Sequence, residues 1–544
     1  MPESHPTRVP LFWLLFPIAA GIASSAFHGA QLAFAIFLFA SIASALAWGS
    51  SIGQRTWITL LCGSLFLTGF AYAAFTDASK TARSPLPERE VEVSLSTDRL
   101  FEAQSDRARG FGRIVAAPPH LIDLIGSRVY FSLYRISESD ESETIQTGST
   151  LRARGLLTPV GQAAPEGAGF DNYLKASGIS FQLSRGVVLE ADHSRKGWRS
   201  RFDAIQNWAF HWLTHTIDSE SDPARAYVAM MLGKKSVLEE DRKALFLQSG
   251  ALHLFAISGL HIGVIAACGH ATLILFRFPR IWIPVPNLAL ILVFVLMTGG
   301  APSAWRALLM IACYYLCLAT NRQSASLNAL ALSALICLLV DPHQLFLAGF
   351  QMSYATVAAI LLYGVPLSDS LIERWTPFSR LPRKFWNWQR KSIYEFGRFL
   401  IGSLSISLSA FLASSALSIA YFNTLPLAGI LANVVLLPLA FLTIVAGFLA
   451  LAFASLSAGP IVSLFNHAAQ VSLSLMHRFL EALSQLPSHY LTFESPSIAL
   501  QLALLTLLLA FLLYGYDRQW RFPRQWLCLF PISYSCLCIA AAIL

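Results

Sequence analysis

About thirteen stretches of this sequence run for most of a bilayer crossing with almost no charge, and no other feature restricts the fold as tightly. Of the 544 residues, 55% are hydrophobic and 13% charged. Soluble domains carry roughly 25% charged residues, so a very apolar soluble enzyme is the weaker reading. The spans are 9–27, 30–49, 57–75, 251–275, 281–297, 305–319, 327–340, 345–363, 400–421, 425–454, 461–483, 498–514 and 526–544. Segment 10–30 could pass for a signal peptide. Its apolar core is long and two more apolar spans follow, so it reads as a retained helix. Span 425–454 carries Pro426 and Pro438 and is expected to be broken or re-entrant.

The formal charge of +8 need not mean nucleic acid, because membrane proteins collect Lys and Arg in cytoplasmic loops. The most basic loop, 373–398, holds Arg374, Arg380, Arg383, Lys384, Arg390, Lys391 and Arg398. Loops 277–280 and 518–524 are also basic. Placing all three in the cytoplasm puts the N-terminus inside and residues 77–250 outside. The eight cysteines all lie in hydrophobic stretches, which argues against a disulfide framework or a zinc site. Cys313 and Cys317 read as packing residues.

The expected organisation is N-terminal transmembrane helices over 1–76, a soluble periplasmic domain over 77–198, interfacial helices over 199–250 and a transmembrane domain over 251–544. The soluble insert predicts five strands, at 90–97, 110–117, 128–136, 150–159 and 179–189, several of them alternating apolar and polar residues. Five short strands suit a small barrel of the OB type, with a sandwich as the alternative. A short helix with a glycine stop is expected over 169–178. Segment 199–216, with Trp208, Phe210, Trp212 and His215 among charges, predicts an amphipathic helix. It would lie on the outer membrane surface or pack into the core.

Polar groups inside lipid are costly, so their positions carry information. His253, Ser258 and His261 fall within nine residues and, on one helix, near one face. They read as the lining of a polar route, as a Ser/His hydrolytic pair, or as histidines bonding neighbouring helices. Arg306 follows Gly299, Gly300 and Pro302. It should face a partner, a wet cavity or, by snorkelling, the surface. Asp341 is placed to cap the following turn, and Gln351 and Ser353 to hydrogen-bond within the membrane. Asn423, Pro426, Gly429, Asn433 and Pro438 suggest discontinuous helix lining a cavity. No phosphate loop, metal cluster or dinucleotide fingerprint occurs, so no cofactor is expected.

Several strings, in order, resemble the ComEC/Rec2 family of DNA-internalisation proteins. They are Met231-Leu-Gly-Lys-Lys-Ser236, Phe246-Leu-Gln-Ser-Gly-Ala-Leu-His-Leu-Phe-Ala-Ile-Ser-Gly-Leu-His-Ile-Gly263, Pro302-Ser-Ala-Trp-Arg-Ala307, and Asp341-Pro342 with Gly349-Phe-Gln-Met-Ser353. Gly169-Phe-Asp171, Tyr173-Leu174 and Gly178-Ile179 are similar to the end of that family's OB-like domain. The resemblance implies an inner-membrane channel for single-stranded DNA. Its route would include His253, Ser258, His261, Arg306, Gln351, Lys234, Lys235 and Asn433. The partners it implies are single-stranded DNA, membrane lipids, a separate nuclease, a periplasmic DNA receptor, a cytoplasmic helicase and further copies of the chain. Typical members continue into a metallo-β-lactamase-like domain whose metal motif this sequence lacks. The expectation is a truncated chain or a nuclease on a separate protein, and a channel rather than an enzyme. An intramembrane enzyme acting on lipid or glycan through Ser258 and His261 is the alternative.

Overall fold

The structure is a computed structural model. It describes residues 10–25, 54–81, 87–103, 107–135, 148–160, 168–192, 198–218, 221–233, 246, 250–255, 257–320, 325–378, 383–485, 490–492, 498–517, 530–531, 533–535 and 537. The expected span 30–49, most of 526–544, and Lys234 and Lys235 lie outside these residues.

Two N-terminal helices come first, α1 (Pro10–Ser25) and α2 (Gln54–Thr81). They pack closely because small residues let the backbones meet. A Cβ on Gly21 would fall 1.9 Å from the Phe66 carbonyl oxygen, and one on Gly69 would fall 2.3 Å from that of Ile18.

The insert folds as a closed five-stranded barrel: β1 (Arg89–Ala103), β2 (Arg107–Ala116), β3 (Arg128–Arg135), β4 (Thr150–Pro159) and β5 (Phe181–Asp192). The order around the barrel is β1-β2-β3-β5-β4, closing from β4 onto β1, and only β3 and β5 pair in parallel. The sandwich alternative is thereby corrected. Alternation explains the core: Val91, Val93 and Leu95, Phe131 and Leu133, and Leu151 and Ala153 point inward and are buried. β1 runs well past its expected end at residue 97. Register shifts at Ser94/Leu95, Thr97/Arg99 and Leu100/Glu102 bend it so that it pairs with β4 in its first half and with β2 beyond. On the outer face, Arg154 pairs with Glu90 at 2.8 Å and Arg152 with Glu92 at 2.6 Å. Helix α3 (Ala168–Ala176) lies between β4 and β5 in sequence and ends at Gly178, φ +71°. Its Leu174 packs with Phe111 and Ile179, so Ile179 belongs to this plug rather than to the fifth strand.

Helices α4 (Trp198–Leu213) and α5 (Asp222–Leu232) join the barrel to the bundle. α4 packs into the core through Ala209 and Leu213 while Trp208 and Phe210 stay exposed. Asn466 fixes this joint. Its Nδ2 donates to the carbonyls of Trp212 (2.9 Å) and His215 (3.2 Å), and its Oδ1 accepts from Tyr227 Oη at 3.3 Å.

The bundle continues with α6 (Gly259–Leu275), α7 (Pro284–Met297), α8 (Pro302–Ala319), α9 (Ala325–Val340), α10 (Ala348–Ile372), α11 (Trp388–Phe422), α12 (Gly429–Ala454), α13 (Gly459–Ser484) and α14 (Ile498–Asp517). Among the described residues, α8, α10, α11 and α12 are long and apolar enough to cross a bilayer. α10 contains a π-turn at Ile360–Gly364. There Gly364 lets α11 approach, since a Cβ would lie 2.4 Å from Ser409 Oγ. The break expected within 425–454 is displaced. α12 runs unbroken through Pro438, and the chain turns before it, at Asn423 (φ +53°) and the short strand β6 (Thr424–Leu425), which pairs with β7 (Leu491–Thr492).

Candidate pathway at the ends of the short helices

α6 and α7 have 17 and 14 residues. At 1.5 Å per residue they reach about 26 and 21 Å, short of a hydrocarbon core of about 30 Å. Each meets chain outside any α-helix at the same end of the pair: residues 250–255 and 257–258, with one 3-10 turn, before α6, and residues 298–301 after α7. Ser303 Oγ, in the first turn of α8, donates to the Ile257 carbonyl and ties the two stretches together. Gly233, at the end of α5, closes against both, beside Ile257 and the Thr298 carbonyl. Gly299 and Gly300 make the turn with consecutive left-handed conformations, φ +77° and +63°.

The polar residues of the first stretch do not share one helix, as the spacing had suggested, because helix begins only at Gly259. His253 sits in a 3-10 turn, is exposed, and its Nδ1 donates to the Gly250 carbonyl at 2.8 Å. Gly250 has φ +72°, and a Cβ there would meet Pro426 at 2.9 Å. Ser258 caps α6, and His261 is the third residue of that helix. The Ser258 amide donates to His261 Nδ1 at 3.3 Å, and Ser258 Oγ lies 2.9 Å from the same atom. An accepting Nδ1 leaves the proton of a neutral imidazole on Nε2. That nitrogen is buried and lies on the side of the Met230 backbone. The chain therefore gathers His253, Ser258 and His261 through a loop and a cap.

Arg306 lies on a different side of α8. Ser303 and Ala307 face the start of α6, where a Cβ on Gly259 would lie 4.0 Å from that of Ala307. Arg306 turns toward α9 and α10, and its Nη2 donates to the Gly349 carbonyl at 2.8 Å. The side chain is buried, with the residue 6% exposed, and Nε has no partner. It does not snorkel. On the same stretch of α10, Gln351 Nε2 donates to the Leu345 carbonyl (2.8 Å), and its Oε1 accepts from Tyr421 Oη (3.1 Å). Asp341 accepts from the His343 amide at 3.2 Å and so caps the 3-10 turn Pro342–Phe346. Asn433 is half-buried on α12.

Two polar features escaped the sequence reading. Asn287, fully buried on α7, donates to the Ala266 carbonyl (3.0 Å) and to Tyr315 Oη (2.8 Å), and His270 Nδ1 lies 3.1 Å from that hydroxyl. Three helices are bonded together at this point. On α11, the buried Oγ atoms of Ser405 and Ser407 have no partner. A lone Asn inside an apolar run was a visible signal. The serines were not, because small hydroxyls are common in membrane helices.

The barrel offers a second polar surface. On the outer side of β2 and β3, Arg107 lies over the Tyr134 ring at 5.0 Å and donates to Ser132 Oγ at 3.3 Å. Arg109, Arg113 and Arg128 share that face by register, and Phe170 and Tyr173 of α3 are exposed beside it. Arg128 is tied to the Ser177 carbonyl at 2.9 Å. Among the described residues, no group of three or more His, Cys, Asp or Glu could hold a metal ion.

A family model described as "Competence protein" matches residues 230–518. The chain is similar to ComE operon protein 3 of Bacillus subtilis, with 24% identity over 353 residues, 64% of this chain and 43% of that protein. It is also similar to Competence protein ComA of Neisseria gonorrhoeae, with 25% identity over 315 residues, 54% of this chain and 42% of that one. Recombination protein 2 of Haemophilus influenzae is 23% identical over 222 residues, 39% of this chain and 26% of that one. The matched stretch spans less than half the length of each of these relatives. No solved structure matches the chain.

Proposed function

Since the chain belongs to the ComEC/Rec2 family of competence proteins, we propose that it serves DNA uptake as an inner-membrane channel, passing one strand from periplasm to cytoplasm. The observation that carries this reading is the pair of irregular stretches, 250–255 with 257–258 and 298–301, at the ends of two helices too short to cross alone. Irregular backbone at membrane depth is tolerated where protein buries it or where it lines a water-filled cavity. Here it carries exposed His253 and stands next to buried His261.

The barrel is the receiving platform in this reading. Its strand order supports an OB-like fold, and the β2–β3 face of such barrels binds oligonucleotides. Arginines interleaved with Tyr134, Phe170 and Tyr173 suit a charged backbone with stacking bases. The barrel is periplasmic, loop 373–398 cytoplasmic, and the spans number about thirteen. Lys234, Lys235, Gln351 and Asn433 complete the route. A separate nuclease, a periplasmic receptor, a helicase and further copies of the chain are its partners.

The Ser258–His261 contact of 2.9 Å favours a second reading, an intramembrane hydrolase. The capping geometry accounts for that contact without catalysis. Transformation assays on Ser258→Ala, His261→Ala and Arg306→Ala strains, with membrane protein levels measured in parallel, test both readings. A channel keeps its function in Ser258→Ala and loses it in the other two. A hydrolase loses it in Ser258→Ala. Normal transformation by stably inserted His261→Ala and Arg306→Ala chains would sink the route.

A further inference from the structure

The base of α11 has a feature that DNA passage does not require. The helix has 35 residues, Trp388–Phe422. That is about 52 Å of helix, some 20 Å more than a hydrocarbon core needs. The excess lies at the N-terminal end, where Lys384, Arg390, Lys391 and Arg398 cluster. A soluble extension would turn polar residues outward all round. Instead Trp388 is 75% exposed, Phe396 62%, and Ile393 and Phe399 are also exposed.

These side chains are ordered by face. Trp388, Phe396, Phe399 and Ile406 fall on one side of the helix, and Ile406 and Leu404 are exposed apolar residues within the spanning part. The exposed aromatic stripe is thus continuous with the lipid-facing surface of the same helix. Arg390, Lys391 and Arg398 fall on other sides. Tyr394 and Gly397 pack inward. Trp375 Nε1 donates to the Tyr394 carbonyl at 3.2 Å, and a Cβ on Gly397 would lie 2.3 Å from the Trp375 ring. Trp386 stands edge-on to Tyr394 at 5.1 Å, and Arg390 and Arg398 lie over the rings of Phe378 (6.0 Å) and Tyr394 (5.6 Å). The packed side is therefore occupied, and the aromatic stripe is left facing outward. Across 373–398 the sequence has seven basic side chains against Glu373 and Glu395, and Glu395 already pairs with Arg398 at 3.4 Å.

We propose that the first three turns of α11, with Lys384 and Phe385 before them, form an anchor on an anionic phospholipid surface. A tilt of about 35–40° fits the length of α11 within the roughly 40–45 Å of a bilayer with its headgroups, so that Phe396 and Phe399 reach the leaflet, Trp388 lies among the headgroups, and Lys384, Arg390 and Lys391 meet the lipid phosphates. Two observations select this occupant: the stripe continues into the lipid-facing part of the helix, and the excess charge is cationic. Each Lys or Arg near such a surface favours the anionic lipid.

The test uses the full chain in bilayer discs of phosphatidylcholine with trace spin-labelled lipid. The readout is the motionally restricted fraction of labelled phosphatidylglycerol relative to labelled phosphatidylcholine. The wild-type chain should favour phosphatidylglycerol, and a Lys384→Gln/Arg390→Gln/Lys391→Gln chain should lose most of that preference. If the triple variant does not insert, 1 M salt on the wild-type chain serves in its place, since screening at about 3 Å must remove the headgroup preference. An equal preference in wild type and variant, or one indifferent to salt, overturns the proposal. So does tight binding of a single-stranded oligonucleotide to discs of phosphatidylcholine alone that the triple variant abolishes, because the cations would then serve nucleic acid. DNA uptake does not enter this readout, so its failure and the failure of the channel reading are separate results.

Discussion

The barrel and the helix bundle place their polar groups in opposite ways. In the barrel the interior is mostly apolar, with Thr97 bonded to the Ser149 carbonyl at 3.1 Å, and charge stands outside, paired across strands as Glu90–Arg154 and Glu92–Arg152. In the bundle much of the outer surface is apolar, with Leu275, Phe276 and Ile281 fully in view, while Arg306, His261, Asn287 and Asn466 are buried. Water outside makes a surface ion pair of little consequence. Lipid outside makes each interior polar group a commitment, since its partner must come from protein or from an enclosed wet path. Substitutions should therefore act through packing in the barrel and through hydrogen bonds in the bundle.

The largest effect is expected inside the barrel. Phe131→Ala removes a fully buried ring and should cost about 3–5 kcal/mol. Pulse proteolysis of the whole protein in detergent should show cleavage within 87–192 at much lower denaturant, with helix protection unchanged. Simultaneous loss of protection in the bundle would break the comparison, because the two regions would then unfold as one. Next comes Arg306→Ala. It leaves the Gly349 carbonyl without its charged donor, worth about 1.5–3 kcal/mol, and should lower transformation at least tenfold. Arg306→Lys keeps the charge but cannot reproduce the planar donor, so it should recover only part of the uptake.

A third effect separates two kinds of close approach. In the barrel, a Cβ on Gly186 would sit 2.2 Å from the Arg154 carbonyl oxygen, which is backbone and cannot yield without moving a strand. In the bundle, a Cβ on Gly269 would meet Asn287 Oδ1 at 2.5 Å, the end of a side chain. Gly186→Ala should cost about 1–3 kcal/mol. Gly269→Ala should instead displace Asn287 and weaken its bond to Tyr315. Proteolysis reads the first. The second should appear as a change in Tyr315 exposure, measured by nitration, with little shift in the midpoint.

Which of these sites the sequence exposed depended on the period of the pattern. Val91, Val93 and Leu95 alternate with charged and polar residues, so their strand was legible. Residues 98–103 were not legible as part of β1, because register shifts there break the alternation. In the bundle, an apolar run reports burial in lipid but not where helix starts. The run 251–275 concealed a start at Gly259, although Ser258 and His261, three apart, carried the capping signal. The polar cluster was legible as residues and illegible as geometry. His253 joins it through a left-handed Gly250, and Arg306 leaves it by facing the far side of α8. Such a division depends on tertiary packing, which no local pattern encodes.

The smallest expected effect bears on the barrel's two outer faces. On the β1–β4–β5 face, Arg152 lies between Glu92 and Glu190, both carboxylates holding its guanidinium above its ordinary pKa, so its charge is locally cancelled. On the β2–β3 face, Arg107 rests on a tyrosine ring, and among the described residues neither it nor Arg113 has a carboxylate in ion-pair range. A polyanion gains little from the first face and much from the second. The exchange Glu92→Arg with Arg152→Glu sets a carboxylate against Glu190 but should change stability by no more than about 1 kcal/mol, because these groups are exposed, and should leave uptake unchanged, because the net charge is preserved. The pair Arg107→Gln with Arg113→Gln should leave stability unchanged but reduce binding of a single-stranded oligonucleotide, with a shallower dependence on salt by about 0.7 of slope per lost phosphate contact. If the exchange on the β1–β4–β5 face impaired binding as much as the loss of Arg107 and Arg113, the strand would not be choosing a face by its uncancelled charge, and the β2–β3 platform would have to be abandoned.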